Sequence, residues 1–192
     1  MNEPNAQLDE KVTISVERMM RFCYLAQMLF EYTPYGTNVL PIHLSRFGTM
    51  VFETSSFLYS LFEDTENSIN LLEIWQGFDH PFGDELQKFA KKLEPFKDEL
   101  RLVRNRVGFH GSLNRSRERA GLDIFDFESP RAREFARLVR DMRSLSLKMI
   151  EWYIKRMNKA ARPSEIWQEF MTELQSHPLI RHSKGKSRAG SN

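Results

Sequence analysis

A chain of 192 residues that is 41% apolar, 28% charged and 12% aromatic is long enough for one domain with appendages and too rich in large side chains to remain unfolded. Its single cysteine, Cys23, excludes an internal disulfide framework and a Cys-based zinc site, and a formal charge of only +2 gives by itself no reason to expect nucleic acid. The opening MNEPNAQLDEKV has no basic segment followed by an apolar one, so the expected setting is reducing and cytoplasmic rather than secretory.

Nine Gly and eight Pro stand mainly between long stretches of helical period, which predicts an all-α fold. Val12, Val16, Met19, Met20, Cys23, Ala26 and Phe30 recur at spacings of three and four, giving a first helix of about 20 residues before YTPYGTN at 32–38. Its most apolar run, Met19 to Phe30, is broken by Arg21 and Gln27 and is too short to span a bilayer, so no membrane partner is expected. A second helix, Leu44 to Phe62, places Phe47, Met50, Val51, Thr54, Phe57, Leu58 and Leu61 on one face and Phe52 and Tyr59 on the other. A helix apolar on two sides is either central in a bundle or shared with a partner subunit.

SINLLEIWQGF at 68–78 reads as a short helix and DHPFGD at 79–84 as a turn, with Asp84 placed to cap the helix that follows. That helix begins at Glu85, is disturbed by Pro95 and resumes with Phe96, Leu100, Val103 and Val107. GSLNRSRERAGLD at 111–123 has no period and reads as a surface loop. Ser129 before Pro130 signals the start of the longest helix, which runs to Met157 with Phe135, Leu138, Val139, Met142, Leu145, Met149, Ile150 and Tyr153 inward. After Pro163 an amphipathic helix carries Ile166, Trp167, Phe170, Met171 and Leu174, and residues 177–192 read as a basic, mobile tail. The expectation is a helical bundle of four long helices and one or two short ones, a single domain over 1–176 with an accessory helix at 163–176.

Resolved by position, the charge is far from bland. Eighteen of the 28 basic residues are Arg, gathered between Arg101 and Arg143 and again in RHSKGKSR at 181–188. Acids such as Asp9, Glu10, Glu63, Asp64 and Glu66 concentrate before residue 100. A planar guanidinium fork suits phosphate better than a Lys point charge does. Arg106, Arg115, Arg117, Arg119, Lys184, Lys186 and Arg188 are therefore candidate contacts to a phosphate backbone, with a solvated loop or helix face as their alternative use. There is no Walker loop, Gly-rich dinucleotide turn, HExxH or nucleophile elbow, so neither a cofactor nor a metal is expected.

The stretch with plausible chemistry is RNRVGFHG at 104–111, where Arg104 and His110 flank the buried stripe if helix persists through Gly108. Arg104, Asn105 directly after it, and His110 after a five-residue gap resemble the signature of the HEPN superfamily of helical-bundle proteins. That signature is Arg, four to six residues, then His, commonly with a polar residue after the Arg. The likeness covers residues 10–157. It implies a metal-independent endoribonuclease of a toxin or defence type, or a degenerate relative that only binds RNA. In the carry-over His110 is the general acid or base, Arg104 the clamp on the scissile phosphate, and Asn105 the group orienting one of them. The chemistry is coherent, because His is the side chain whose ordinary pKa suits deprotonating a ribose hydroxyl near neutral pH. The resemblance further implies a homodimer that brings two motifs into one cleft, and an antitoxin or other protein partner. The face of Phe52 and Tyr59 is a candidate dimer seam.

A non-catalytic helical interaction module that binds a protein partner or RNA is the rival from another class. His110 beside Gly108 also suits a helix C-terminus, where an imidazolium meets the negative end of the dipole. Glu53 is placed to pair with Arg104. Asp79, His80 and Asp84 suit a turn better than a metal site, and His43 with Arg46 suits a helix start.

Overall fold

The structure is a computed structural model that describes residues 3–34, 40–64, 68, 70–108 and 123–157. Every regular element among the described residues is helical, and none of those helices is long and apolar enough to cross a membrane. The fold is thus all-α, as the spacing of apolar residues predicts. The chain divides into two compact units, Met1–Met149 and Ile150–Asn192. The second is described over 150–157, where Lys155 pairs with Glu151 one turn away and the Arg156 guanidinium lies 5.2 Å from the Trp152 ring. The expected helix at 163–176 and the basic tail lie outside the described residues.

Helix α1, Glu3–Tyr32, begins well before Val12 because Ala, Gln, Leu, Glu and Lys in the preceding stretch are good helix formers. It buries Val12, Ser15, Val16, Met19, Met20, Phe22, Cys23, Ala26, Met28 and Leu29, too many directions for a single stripe. It packs extensively on the helix that follows, Pro41–Leu61, and also meets the short helix after that one. Leu29 takes the inward place expected of Phe30, which is half-buried with the Arg140 guanidinium 5.5 Å from its ring.

Helix α2, Pro41–Leu61, starts earlier than Leu44 because Pro41 supplies a preset φ and His43 Nδ1 accepts the Leu40 N–H at 3.3 Å. Phe47, Gly48, Val51, Thr54, Ser55, Leu58 and Leu61 point inward, and Thr54 Oγ1 donates to the Leu25 carbonyl of α1 at 3.4 Å. Met50 and Phe57, expected on the core face, are only half-buried.

The next connection is tied to α1 by one indole. Helix α3, Leu71–Gln76, is capped by Asn70, whose Oδ1 accepts the Leu72 N–H at 3.0 Å. It delivers Trp75 into the core with no exposed surface, and Trp75 Nε1 donates to Ser15 Oγ at 2.9 Å. Ser15 in turn donates to the Val12 carbonyl at 2.7 Å, so the buried polar group is satisfied.

Helix α4, Gly83–Leu93, corrects one expectation: Asp84 does not cap it, since the helix has already begun at Gly83. The preceding turn is closed instead by His80, whose Nδ1 accepts the Phe82 N–H at 2.9 Å. Asp84 and Glu85 lie in the first turn, where negative charge meets the positive end of the helix dipole. Pro95 removes an N–H from the ladder, and Glu94–Phe96 tightens to a 3₁₀ turn before α5, Lys97–Leu102. The next six residues, Val103–Gly108, close as a π-helix. Arg131 holds this kinked run from the other side, with its guanidinium 3.6 Å from the Phe96 ring, Nε on Glu99 at 3.0 Å and Nη2 on the Pro95 carbonyl at 2.7 Å.

Helix α6, Pro130–Met157, starts as its sequence predicts, but with 28 residues it is not the longest, since α1 has 30. Ser129 Oγ accepts the Ala132 N–H at 2.9 Å and donates to the Asp123 carbonyl at 2.7 Å. The residues Asp123–Phe125, expected within or beside a loop, form a 3₁₀ turn with Ile124 buried. All eight apolar residues assigned to the inward face of α6 are buried.

Candidate functional site

Arg104 lies on the π-helical turn with 31% of its side chain exposed. Its Nη1 donates to Glu63 Oε2 in a close ion pair, and its Cζ lies 5.6 Å from the centre of the Tyr59 ring. Glu63 is the better buried partner, with 17% of its side chain exposed. Both contacts belong to the C-terminal end of α2 and the residues just past it. Arg18 reaches the same end from α1: its Nη2 donates to Ser60 Oγ at 2.6 Å and to the Ser60 carbonyl at 3.5 Å, and its Cζ is 5.4 Å from the Phe57 ring.

The convergence has an elementary cause. The last carbonyls of a helix lack intrahelical donors and carry partial negative charge. Helix α2 has no basic residue in its own last turn, so Arg18 and Arg104 supply that charge from α1 and from the π turn. Arg21, one turn along α1 from Arg18, is exposed. Burial pushes the Arg18 guanidinium below its ordinary pKa, and repulsion from Arg21 and Arg104 pushes it further, with Glu63 in partial opposition. Arg18 Nε is buried without a hydrogen-bond partner. The corner therefore brings two guanidiniums, Arg18 and Arg104, to the end of α2, with Glu63 paired to the second.

Of the residues singled out in the sequence, Arg104 is in this corner and Asn105 beside it is exposed. Arg106 lies on the same π turn, with its side chain outside the described set. His110, Arg115, Arg117, Arg119, Lys184, Lys186 and Arg188 lie outside the described residues. Glu53 is exposed and is not the partner of Arg104; Glu63 is. The helical wheel drawn through Gly108 fails past Val103, because closure from i to i+5 shifts the phase of the residues up to Gly108. Tyr59 and Phe52 are both half-buried, and Arg104 lies over Tyr59. Arg18 and Glu63 are the residues that motif reading misses. The available signal is Arg18 itself, a charge between Val16 and Met19 on a helix that buries both, which requires a polar partner nearby.

The remaining candidates are structural. His43 serves the start of α2, and the Arg46 guanidinium lies 5.8 Å from the Tyr32 ring. His80 stacks on Phe82 at 6.1 Å and meets Trp75 edge-on at 5.1 Å, and burial holds its pKa below the ordinary value against the opposing pulls of the Trp75 carbonyl and Asp79. Among the described residues no three His, Cys, Asp or Glu side chains converge to hold a metal. Cys23 is a buried thiol whose pKa desolvation pushes up to about 12, which leaves it without thiolate character at neutral pH. Between α4 and α6 a cavity of about 270 Å³ lies over Phe89 and Leu145, bridged by Lys92–Asp141 at 2.6 Å and Lys148–Glu85 at 2.9 Å. No family model, curated protein or solved structure matches the chain.

Proposed function

We propose that the chain is a HEPN-like, metal-independent endoribonuclease of a toxin or defence type, acting as a homodimer. The observation that carries this is the Arg104-Asn105…His110 constellation, with its arginine in a corner that also holds Arg18. A π-helical turn under the motif adds support, since such turns are frequent at functional sites.

In this mechanism neutral His110 takes the proton of a ribose 2′-hydroxyl, and the oxygen attacks the adjacent phosphorus. Negative charge grows on the non-bridging oxygens, where the Arg104 guanidinium meets it. The bond to the 5′-oxygen breaks, and that oxygen leaves with a proton donated by the second copy's histidine in the dimer. The products are a 2′,3′-cyclic phosphate and a 5′-hydroxyl. The test is RNA cleavage in EDTA by the wild type and by His110→Ala. Cleavage is expected from the wild type and a loss of at least about a hundredfold from the variant, the scale of one general acid or base. Intact RNA with folded, dimeric wild type overturns the proposal.

A non-catalytic helical interaction module is the second reading, and the Glu63 contact favours it. A guanidinium with a carboxylate already in hand holds the π turn against the end of α2 whether or not RNA binds. On that reading wild type and His110→Ala both leave RNA intact, and replacing Arg115, Arg117 and Arg119 weakens binding with a marked salt dependence.

A further inference from the structure

We infer that Arg18 and Arg104 form an anion site for an RNA phosphodiester and that Glu63 is its resident competitor, a carboxylate that must leave Arg104 before a phosphate enters. This rests on Arg104 being a phosphate-binding residue, and it adds one residue, Arg18, and a control to that role.

Three observations lead to it. First, carboxylate and phosphate oxygens take the same in-plane donors of a guanidinium, and on Arg104 one such donor is held by Glu63 Oε2. An RNA phosphate and Glu63 therefore compete for one place. Second, the corner is under-neutralised. Glu63 is paired with Arg104, while Arg18 donates to the neutral oxygens of the neighbouring Ser60 and, besides its desolvation, is repelled by Arg104. A phosphodiester carries one negative charge and relieves that repulsion where water does so poorly at a half-buried position.

Third, the parts are arranged for exchange rather than for permanent burial. Arg18 is fixed on Ser60, the residue after Tyr59, over which Arg104 lies, so the two guanidiniums are already positioned at one helix end. Glu63 lies past the last residue of α2, so its carboxylate swings away without breaking any turn of helix.

The latch is tested by binding rather than by cleavage, with a 2′-O-methyl oligoribonucleotide that cannot be cut, read by fluorescence anisotropy at fixed ionic strength. Glu63→Gln is expected to tighten binding about tenfold, the scale of one charge-assisted hydrogen bond made available. Asp64→Asn removes the same charge from the exposed neighbour and is expected to change affinity less than about twofold, since an exposed charge is screened. Adding Arg18→Gln to Glu63→Gln is expected to abolish the gain. Inorganic phosphate, titrated at constant ionic strength, separates a site for any phosphate from one that needs the polynucleotide. Weak competition is expected, because a single phosphate engages one corner and none of the flanking arginines. Competition as strong as that of unlabelled oligoribonucleotide overturns the RNA assignment.

Glu63→Asp, which draws the carboxylate back by one methylene, supplies the same comparison should Glu63→Gln fail to fold, and a smaller gain is expected from it. The latch is overturned if neither Glu63 variant binds more tightly than the wild type, if Asp64→Asn gives an equal gain, or if the gain survives loss of Arg18. The two proposals fail separately. RNA left intact in EDTA removes the nuclease and leaves the Glu63→Gln gain standing, whereas cleavage without that gain removes only the latch.

Discussion

The turn at His80 depends on a proton being absent. Nδ1 accepts the Phe82 N–H at 2.9 Å, which only a neutral imidazole does, and burial holds the folded pKa below its ordinary value. The unfolded chain, with a histidine near the ordinary value of about 6.5, therefore takes up the proton first as pH falls. Stability from neutral His80 is fully present above that unfolded value and declines as pH drops toward the folded one. The thermal midpoint is expected to fall between about pH 7 and pH 5 in the wild type and to fall less steeply in His80→Asn, whose amide oxygen still accepts the Phe82 N–H. Equal slopes in circular-dichroism melts remove His80 from this role. The same residue shows how little chemistry a histidine count conveys. His43 and His80 both prove to be acceptors for backbone N–H groups, and neither surroundings nor hydrogen bonds are written in the count. Arg104 was legible because a spaced motif names it. Glu63 was not, since nothing local separates it from Glu53, and the difference is made by where α2 ends.

At the level of elements, local signals decided some boundaries and tertiary contacts decided others. Ser129-Pro130 marks the start of α6 through chemistry confined to four residues, and the hydroxyl does accept the Ala132 N–H. Asp84 looks equally good by type, but His80 closes the turn ahead of it and α4 begins one residue earlier. A direct comparison follows. Ser129→Ala is expected to cost about 1–2 kcal/mol, the worth of a true N-cap, whereas Asp84→Ala loses only a dipole interaction of about 0.3–1 kcal/mol. Urea unfolding of the two variants measures the order, and an equal or larger cost at Asp84 contradicts it. The π turn is the element that left no mark. Phe96, Leu100, Val103 and Val107 keep α-helical spacing straight through it, so periodicity is blind to the extra residue per closure. Yet it is this turn that carries Arg104 to the end of α2.

For the Met1–Met149 unit as a whole, apolar spacing identified the inward face of α6, and the two apolar sides of α2 fit its place against α1, α5, the π turn and the Asp123–Phe125 turn. A period does not show that Arg18 covers Phe57 while Met28 and Phe22 of α1 go inward. The 63–84 connection was equally hidden. Its weight lies in Trp75, a long-range anchor whose partner Ser15 stands 60 positions earlier, and no local pattern announces such a pair. If Trp75 anchors this connection to α1, the connection is part of the core rather than a loop laid over it. Removing the indole should then weaken the entire unit. Trp75→Ala is expected to cost about 3–5 kcal/mol, as for a large buried aromatic, and to shift one cooperative transition rather than split off a local phase. Trp75→Phe keeps most of the packing, loses the Nε1 donation to Ser15, and should cost only about 1–2 kcal/mol. Far-ultraviolet circular dichroism in urea reads both midpoint and slope. A separate early phase in Trp75→Ala, or a cost no greater than that of Trp75→Phe, would mean that the segment unfolds on its own and that α1 is held together without it.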